Sequence, residues 1–330
     1  MRKPGVGLLL SMALVVMLLV TACGATEAPP AAEPTAAVEP SPTAEAVAPT
    51  EAAPEAETDL GTEANPIVMS FVPSGDTQEI IASGDEIAAA ISEATGLVIE
   101  ANVGTDFAAV REAMCAAQAH IGWLNTFNYV LANEVCGVDV GLVTERFGLS
   151  TYQGQFIVRA DSGIETLQDL EGKVMCWVDP NSTSGYIIPR ITLAAEGIDP
   201  DTAFSRTLEA GSHNNVVIQV YNGECDAGVT YVDARSAVEA DFPDVNEQVV
   251  ILATTGDIPN DSVSFIEEFP ADMRQQIVDA LLDFASTEEG VAALENLYSI
   301  SGLQSAEDSF YDAFRADLSR AGLDIEELAE

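Results

Sequence analysis

Short apolar runs alternate with longer amphipathic segments in the globular part of this chain. Residues 66–73, 98–103 and 120–124 have the composition of buried strands. The segments between and after them predict helices, one ending near Thr95 with Gly96 as its stop, one from Thr105 or Asp106, and one over 126–135. Buried strands joined by helices of this length predict crossover connections and a mainly parallel sheet in an α/β fold.

A second series of elements follows a predicted crossing segment at 153–160. It opens with a strand at 173–178 and continues to 225–232, after which residues 249–254 return toward the first half. Three helices, at 270–286, 287–298 and 305–321, finish the chain. We predict two α/β lobes joined by two crossing strands, with a ligand cleft between them. The first lobe takes residues 64–155 and 249–330, and the second takes 156–248.

The first residues predict export and a lipid anchor. Arg2 and Lys3 precede an apolar run at 7–20, which ends at Thr21, Ala22 and Cys23. This order is typical of a lipoprotein signal peptide over 1–22, with Cys23 as the lipidated residue. An ordinary secretory signal or an uncleaved transmembrane helix are the alternatives, and both also export the protein. We expect the outer face of a bacterial cytoplasmic membrane, reached through the lipid anchor only.

Residues 24–63 are almost entirely Ala, Pro, Glu, Thr, Val and Ser, and they include no aromatic and no basic residue. Such a segment cannot bury enough apolar surface to fold, so residues 23–63 predict an acidic, disordered tether. The whole chain has 12 Lys and Arg against 54 Asp and Glu, a net charge of −42. This excess excludes nucleic acid as a partner, because neutralising phosphates needs basic residues.

Four cysteines remain once Cys23 is set aside, and an exported chain allows them to form disulfides. We prefer Cys115 with Cys136 and Cys176 with Cys225, because each pair lies within one predicted lobe. Connectivity cannot be deduced from sequence, and four buried thiols are the alternative. No metal-ligand spacing occurs among them, so we predict neither a metal nor a cofactor.

Three consecutive hydroxyl residues, Ser182, Thr183 and Ser184, stand between a predicted strand and a helix predicted over 186–196. Backbone N–H groups without partners and the positive end of the helix dipole favour an anion at such a place. Fixed dipoles of this kind would hold the anion without a counter-charge. The alternative is a redundant N-cap, which is common at helix starts.

The octapeptide from Asp179 to Tyr186 resembles the signature loop of the phosphate/phosphite/phosphonate-binding proteins of ABC importers. Further similarities follow in the same order at 211–213, 223–228 and 258–261, and the resemblance covers the chain from about Pro66 onward. It implies a type II periplasmic-binding-protein fold that closes like a Venus flytrap. It also implies a receptor, expected to be monomeric, which delivers its ligand to an ABC permease and its ATPase.

The resemblance assigns a ligand-contact role to a set of residues: Ser182, Thr183, Ser184, His213, Asp261, Tyr152 from the first crossing segment, and more weakly Ser74. Phe107 stands where phosphonate-binding members commonly offer a tyrosine, so a hydroxyl contact is lost. Asp233 stands where those members hold the amine of an aminophosphonate, although Arg235 could simply neutralise it. Together these residues favour phosphite, phosphate or a short alkylphosphonate.

Asp261 carries the predicted specificity. A carboxylate beside an anion is repulsive unless the ligand brings a proton to share, and phosphate-type ligands keep one near neutral pH whereas sulfate does not. The alternative is a solvated turn at residues 259–261.

A secreted hydrolase is the less favoured class. The sequence has no Gly-x-Ser-x-Gly elbow, no Gly-rich loop followed by Lys, and only two histidines. We predict a receptor rather than an enzyme. A tethered oxyanion sensor, or a sulfonate-type receptor on the same fold, remains the alternative.

Overall fold

A computed structural model describes residues 59–323 and 325 of the chain. The predicted signal peptide, Cys23 and nearly all of the predicted tether lie outside these residues. Within them, no helix combines the length and the apolar character that a bilayer crossing requires.

Strands and helices alternate along the described residues. The strands are β1 (Ile67–Phe71), β2 (Ile99–Val103), β3 (Ile121–Leu124), β4 (Asp139–Glu145), β5 (Thr151–Arg159), β6 (Val174–Trp177), β7 (Arg206–Glu209), β8 (Ala227–Tyr231), β9 (Val249–Pro259), β10 (Ser262–Phe265) and β11 (Gly302–Ser305). The helices are α1 (Thr77–Thr95), α2 (Phe107–Cys115), α3 (Thr126–Cys136), α4 (Ile188–Ala195), α5 (His213–Tyr221), α6 (Val245–Gln248), α7 (Ala271–Ala285), α8 (Glu288–Tyr298) and α9 (Asp312–Arg320).

The strands form two sheets. The first has the order β11-β4-β10-β3-β1-β2 and the second the order β7-β6-β8-β5-β9. The predicted parallel pairing is found for β1 with β2 and β3 and for β6 with β7 and β8. It fails elsewhere, because β10 and β5 each run antiparallel to both of their neighbours and β11 runs antiparallel to β4. The physical reason is the second crossing. The chain returns from β9 into the middle of the first sheet, where β10 lies between β3 and β4 and runs antiparallel to both.

The two crossing segments lie side by side. The chain leaves the first sheet at the end of β4 and enters β5, and it returns from β9 into β10. β5 and β9 pair along their lengths, from Thr151 opposite Pro259 to Arg159 opposite Val249. Residues 146–150 and 260–261 are therefore the links between the sheets, and each link lies beside the other. The lobe boundaries given above remain a prediction.

Local sequence explains how the first helix is bounded. The Asp76 carboxylate accepts hydrogen bonds from the backbone N–H groups of Gln78 and Glu79, and Gly96 ends α1 in the left-handed region at φ +73°. On the inner side, Phe71 and Trp123 stack with ring centroids 5.6 Å apart, and both are buried. This packing stabilises the ends of β1 and β3, from which the loops to α1 and α3 emerge.

The segment after β6 differs from the plain helix predicted over 186–196. Residues Thr183–Ile187 form one turn of π-helix, and α4 follows directly. Pro189 therefore lies in the first turn of α4, where its missing N–H costs little, and not deep inside a helix. The wide turn places residues 182–184 at the edge of the second sheet facing the first.

Two disulfides join the cysteine pairs preferred from the sequence. Cys115 and Cys136 are the last residues of α2 and α3, with Cα atoms 5.4 Å apart. Cys176 in β6 is bonded to Cys225, with Cα atoms 5.8 Å apart. Each bond links elements of the same sheet layer, so neither hinders motion of one sheet against the other.

Removing either disulfide should lower the free energy of unfolding. The loss should be larger for the disulfide that closes the longer loop. Sequence separations of 21 and 49 residues correspond to losses of about 3 and about 4 kcal/mol in the chain-entropy account. Urea unfolding of a Cys115→Ala/Cys136→Ala variant and of a Cys176→Ala/Cys225→Ala variant measures these losses. Unfolding free energies equal to that of the unsubstituted chain would show that the bonds do not form.

Candidate anion-binding site

One small pocket between the two sheets gathers nearly all of the residues singled out in the sequence. The predicted residues that line it are Ser74, Phe107, Tyr152, Ser182, Thr183, Ser184, His213 and Asp261. Four further residues share the lining, namely Val72, Asn125, Arg146 and Tyr231. Asp233 is the one predicted residue that lies elsewhere. Both sheets contribute, because Val72 and Asn125 follow strands of the first and Ser182 and His213 follow strands of the second.

Helix N-termini point to this pocket from both sides. Phe107 begins α2 and Asn125 caps α3 on the side of the first sheet. Thr183 begins the π-turn that leads into α4, and His213 begins α5, on the side of the second sheet. Each N-terminus carries a partial positive charge and N–H groups without helical partners. Their convergence makes the pocket favourable for negative charge.

The hydroxyl loop has its acceptor positions occupied by the protein. The Ser182 hydroxyl accepts a hydrogen bond from the backbone N–H of Gly185. The Thr183 hydroxyl accepts from the Asn125 side-chain amide at 2.8 Å and from the backbone N–H of Phe127 at 3.0 Å. A hydroxyl whose oxygen already accepts is left with its own proton to donate. Ser182 and Thr183 are therefore set up as donors.

A glycine lets this loop lie against the sheet. A Cβ placed on Gly185 would stand 2.3 Å from the Val178 Cγ2 atom and 2.6 Å from its Cβ. Any side chain there would push the loop away from β6. The N-cap interpretation of the hydroxyls holds for Ser182, whereas the Thr183 hydroxyl accepts from the start of α3 and keeps its own proton to donate.

Arg146 is a member of the pocket that the sequence analysis missed. Its guanidinium forms an ion pair with the Asp261 carboxylate, Nη2 to Oδ2 at 3.1 Å, and its Nε donates to the Tyr298 carbonyl at 3.1 Å. The same group lies over the rings of Tyr152 and Tyr231, 5.0 and 5.3 Å from their centroids. A guanidinium that the sequence analysis did not assign therefore lines the pocket, with its charge paired to Asp261.

The crossing segments explain why the two charges meet. Arg146 lies directly after β4 in the first link between the sheets, and Asp261 lies between β9 and β10 in the second. They are 115 residues apart in the chain, so no local pattern announces the pair. The only signal is that Arg146 is the sole lysine or arginine between Arg111 and Arg159.

Burial and mutual attraction act on the titration of this pair. Burial lowers the pKa of Arg146, but the charge of Asp261, its hydrogen bond and the neighbouring Tyr152 and Tyr231 together raise the pKa above its ordinary value. Burial raises the pKa of Asp261 above its ordinary value, against the opposing effect of Arg146. Arg146 thus stays charged, while the cost of burying the Asp261 carboxylate is only partly offset.

One oxygen of Asp261 has no partner. Oδ2 is held by Arg146, whereas Oδ1 is buried without any hydrogen bond within the described residues. A buried acceptor of this kind is costly unless a donor reaches it. Asp261 is buried in the pocket lining, so the alternative of a solvated turn does not hold.

His213 is neutral in this environment. Burial lowers the pKa of its imidazole from 6.5 to about 3, and the charge of Arg146 acts in the same direction. Nδ1 lies 2.7 Å from the Thr230 hydroxyl, which fixes the ring. The backbone N–H of His213 donates to the Ser74 carbonyl at 3.0 Å, so this residue also bridges the two sheets. A neutral imidazole offers one hydrogen bond and no charge.

The remaining predicted residues differ in their placement. Tyr152 lies beside Arg146, and burial together with the charge of Asp261 raises the pKa of its phenol, so it stays a donor. Phe107 is buried and offers only its ring. Asp233 is exposed in a left-handed turn at φ +79°. The Arg235 guanidinium donates to the Val249 carbonyl instead of pairing with Asp233.

The described residues contain no group of three or more His, Cys, Asp or Glu side chains that could hold a metal ion. The donors in the pocket are hydroxyls, an imidazole, a guanidinium and helix N-termini. This set suits an oxyanion.

The depressed pKa of His213 predicts a pH-dependent stability. Above pH 6.5 the buried, neutral imidazole costs no stability. As the pH falls from 6.5 toward 3, the unfolded chain binds a proton that the folded chain does not, so the free energy of unfolding decreases. The slope is at most about 1.4 kcal/mol per pH unit. Urea unfolding between pH 7 and pH 4 should therefore show a flatter pH profile for a His213→Gln variant. Parallel profiles for the variant and the unsubstituted chain would contradict the neutral, buried histidine.

Two lobes with an anion-favouring pocket between them define the class of extracytoplasmic substrate-binding proteins. A family model described as ABC transporter, phosphonate, periplasmic substrate-binding protein matches residues 69–311. The chain belongs to this family. Membership confirms the resemblance seen in the motifs and the choice of a receptor over a hydrolase.

Individual relatives agree with the family. The phosphate-import protein PhnD of Mycolicibacterium smegmatis is 31% identical over 176 residues, which are 50% of this chain and 54% of that protein. The phosphonates-binding periplasmic protein of Escherichia coli is 25% identical over 207 residues, 61% of each chain. The chain thus spans only 54% and 61% of the lengths of these relatives.

Solved structures confirm the type II periplasmic-binding-protein fold. A binding protein component of an ABC phosphonate transporter from Pseudomonas aeruginosa has a TM-score of 0.72 at 22% identity, covering 78% of this chain and 86% of that one. PhnD1 from Prochlorococcus marinus, in complex with methylphosphonate, has a TM-score of 0.70 at 13% identity and covers 78% and 98%. At these identities the similarity concerns the fold.

Proposed function

We propose that this protein captures a small phosphorus oxyanion outside the cytoplasmic membrane and delivers it to an ABC permease with its ATPase. The observation that carries the proposal is the unpaired Oδ1 of Asp261 in a pocket that also holds hydroxyl and guanidinium donors. Hydroxyls, helix N-termini and Arg146 would bind the unprotonated oxygens of the ligand. Oδ1 would accept the proton of its P–OH group.

The charges of the pocket support a ligand that is an anion but still carries a proton. Arg146 and Asp261 cancel each other, so attraction comes from hydrogen-bond donors and helix dipoles. A fully unprotonated anion such as sulfate would set one of its oxygens against Oδ1, leaving two acceptors facing each other. A buried mismatch of this kind is an effective means of rejecting a competitor. The same repulsion disfavours a sulfonate.

The pocket is narrow in this structure. Its volume of about 10 Å³ is about the room needed for one water molecule, so any phosphorus oxyanion requires the lobes to separate, and a long substituent requires a larger separation. Phe107 adds an apolar wall, and Asp233, the residue expected to hold the amine of an aminophosphonate, lies outside the pocket. We therefore infer phosphite, phosphate or methylphosphonate as the ligand. The names of the relatives, phosphate-import and phosphonates-binding, agree with this class.

Contacts between the sheets support closure around the ligand. The Asn125 amide donates to the Asn181 carbonyl as well as to Thr183, and Arg111 donates to the Asn181 side chain at 3.1 Å. These bonds join α2 and the start of α3 to the loop after β6 at the edge of the pocket. They are few and polar, so they can break when the lobes reopen and the ligand leaves.

We further infer that Cys23 carries the lipid anchor, that residues 23–63 tether the receptor, and that it acts as a monomer. The order of charged residues, apolar run and cysteine supports the anchor. The composition of the tether supports reach away from the membrane, because its acidic residues repel each other and its prolines extend it.

Asp261 should set the ligand preference. Calorimetric titration of the full chain with phosphite, phosphate, methylphosphonate, aminoethylphosphonate and sulfate should show binding of the compact phosphorus oxyanions and none of sulfate. An Asp261→Asn change supplies an N–H donor and removes the repulsion, so the preference for phosphate over sulfate should fall by about tenfold or more.

Asp233→Asn is the matched control, because it removes the same charge outside the pocket and should leave the preference unchanged. A sulfate preference in the unsubstituted chain, or no binding of any phosphorus oxyanion, would refute the proposed function. An unaltered preference in the Asp261→Asn variant would refute the role of Oδ1.

The anchor has a separate test. Cells that produce the full chain should incorporate a labelled fatty acid into it and retain it in the membrane fraction. A Cys23→Ala variant should lose the label and leave the membrane fraction. A variant that keeps both would show that Cys23 is not the anchor.

A further inference from the structure

A buried threonine holds the imidazole of His213 from behind the pocket. Thr230, in β8, is fully buried and is not part of the pocket lining. Its Oγ1 atom lies 2.7 Å from His213 Nδ1. The rings of His213 and Tyr231 also pack edge to face, with centroids 4.8 Å apart. Two neighbouring residues of one strand therefore fix the orientation of the imidazole.

The hydrogen bond between Thr230 and His213 can be donated from either side. If Nδ1 carried the imidazole proton, it would donate to Thr230, and the threonine O–H would then need a separate acceptor. If the threonine O–H donates, Nδ1 is the acceptor, and the proton of the neutral imidazole is on Nε2. A buried donor without an acceptor is costly. The destination of the Thr230 proton therefore decides the tautomer of His213.

Within the part of the chain that the structure describes, Nδ1 of His213 is the one hydrogen-bond partner of the Thr230 hydroxyl. Gln155 is the cross-strand partner of Thr230 in the register of β5 and β8, so its amide is a possible alternative acceptor. Both amide atoms of Gln155, however, are buried without a hydrogen bond to any described residue. The Gln155 oxygen thus does not take the Thr230 proton. Donation to Nδ1 is the arrangement that satisfies the hydroxyl.

We propose that Thr230 is a positioning residue of the anion site, whose hydroxyl donates to His213 Nδ1 and keeps the imidazole proton on Nε2, as a donor to an unprotonated ligand oxygen. This rests on the proposed function, which supplies the ligand. His213 lines the pocket and turns Nδ1 to Thr230, so Nε2 is the ring nitrogen available to the ligand.

The assignment gives His213 and Asp261 opposite roles. The Nε2–H group of His213 binds an unprotonated oxygen, and Oδ1 of Asp261 accepts from the P–OH group. With the proton on Nδ1, Nε2 would instead be a second acceptor in the pocket. A ligand with a single proton could not satisfy both acceptors. The Thr230 hydroxyl therefore adapts the pocket to a singly protonated ligand.

The donor is set before the ligand arrives. His213 begins α5, and α5 packs on β8, where Val216 lies against Gly228. The bond between Thr230 and His213 thus stays within one sheet layer and does not depend on closure of the lobes. Burial lowers the pKa of His213 to about 3, so the ring carries one proton at neutral pH. A donor that does not have to reorient reduces the cost of binding.

Nuclear magnetic resonance of the full chain with isotope-labelled histidine reads the tautomer, because protonated and unprotonated ring nitrogens have well-separated shifts. The chain has two histidines. His120 is an internal standard, since its Nδ1 accepts from the backbone N–H of Val68 at 2.9 Å and its proton is therefore on Nε2. A His120→Gln variant assigns the signals. Without ligand and at neutral pH, His213 should show the same pattern as His120. A protonated Nδ1 in His213 would overturn the proposal.

Phosphate affinity shows whether the bond contributes to binding. Thr230→Val keeps the shape of the side chain but removes the donor to Nδ1. Calorimetric affinity for phosphate should fall by about tenfold, the lower end of the loss found when the partner of a metal-bound histidine is removed. Thr230→Ser retains the hydroxyl and should keep the tautomer, with an affinity within about twofold of the unsubstituted chain. Equal affinities of the Val and Ser variants would overturn the proposal.

Gln155→Met is the matched control, because it removes a buried amide beside Thr230 at similar volume and leaves the bond to His213 in place. Both the tautomer and the phosphate affinity should be unchanged in this variant. A loss equal to that of Thr230→Val would show that any polar deletion in this layer weakens binding, and it would overturn the specific role of Thr230.

A double-mutant cycle separates positioning of the histidine from a general structural role. In a His213→Ala background, Thr230→Val should cause no further loss of phosphate affinity, because no imidazole remains to be oriented. An equal loss in both backgrounds would overturn the proposal. Absence of phosphorus oxyanion binding by the unsubstituted chain would instead refute the proposed function. The tautomer measurement needs neither ligand nor substitution at Thr230, so it decides the direction of the Thr230 hydrogen bond in either case.

Discussion

The buried ion pair between Arg146 and Asp261 is the interaction on which the rest of this site depends. Burying two charges costs several kcal/mol for each unless they are paired and hydrogen-bonded. Here the Arg146 guanidinium pairs with one carboxylate oxygen, donates to the Tyr298 carbonyl and lies over two aromatic rings. The pair ties the two chain links between the sheets together at the floor of the pocket. It also leaves one carboxylate oxygen free, and that oxygen gives the pocket its chemical preference.

A strongly acidic protein that binds an anion needs a local source of attraction. Over long distances the net charge of −42 opposes capture, but salt screens exposed charges beyond about 8–10 Å. At contact the pocket presents hydroxyl protons, helix N-termini and the guanidinium of Arg146. These donors act at hydrogen-bond distance, where screening is weak. The neutral state of His213 fits this scheme, since the histidine adds a hydrogen-bonding group without a second positive charge.

The sequence predicted the parts of this structure that local patterns encode. The strand and helix alternation over 66–135, the α/β class and the hydroxyl loop follow from periodicity and capping, and ordered motifs identified the family. What it missed depends on contacts between distant residues. β10 and β11 are four-residue strands whose place is set by the first sheet. Arg146 has no local motif, and only pairing with a residue 115 positions away brings it into the pocket. The mixture of parallel and antiparallel strands also depends on contacts between distant residues, because it follows from where the crossing strands enter each sheet.

The most direct test of the account is a crystal structure of the protein grown with phosphate. The account predicts a phosphorus atom between the two sheets, with one ligand oxygen at hydrogen-bond distance from Asp261 Oδ1. Arg146 should remain on Oδ2, and the hydroxyls of residues 182–184 should donate to the other ligand oxygens. Phosphate bound outside this pocket, or an Arg146 guanidinium that has left Asp261 to hold the ligand alone, would contradict it.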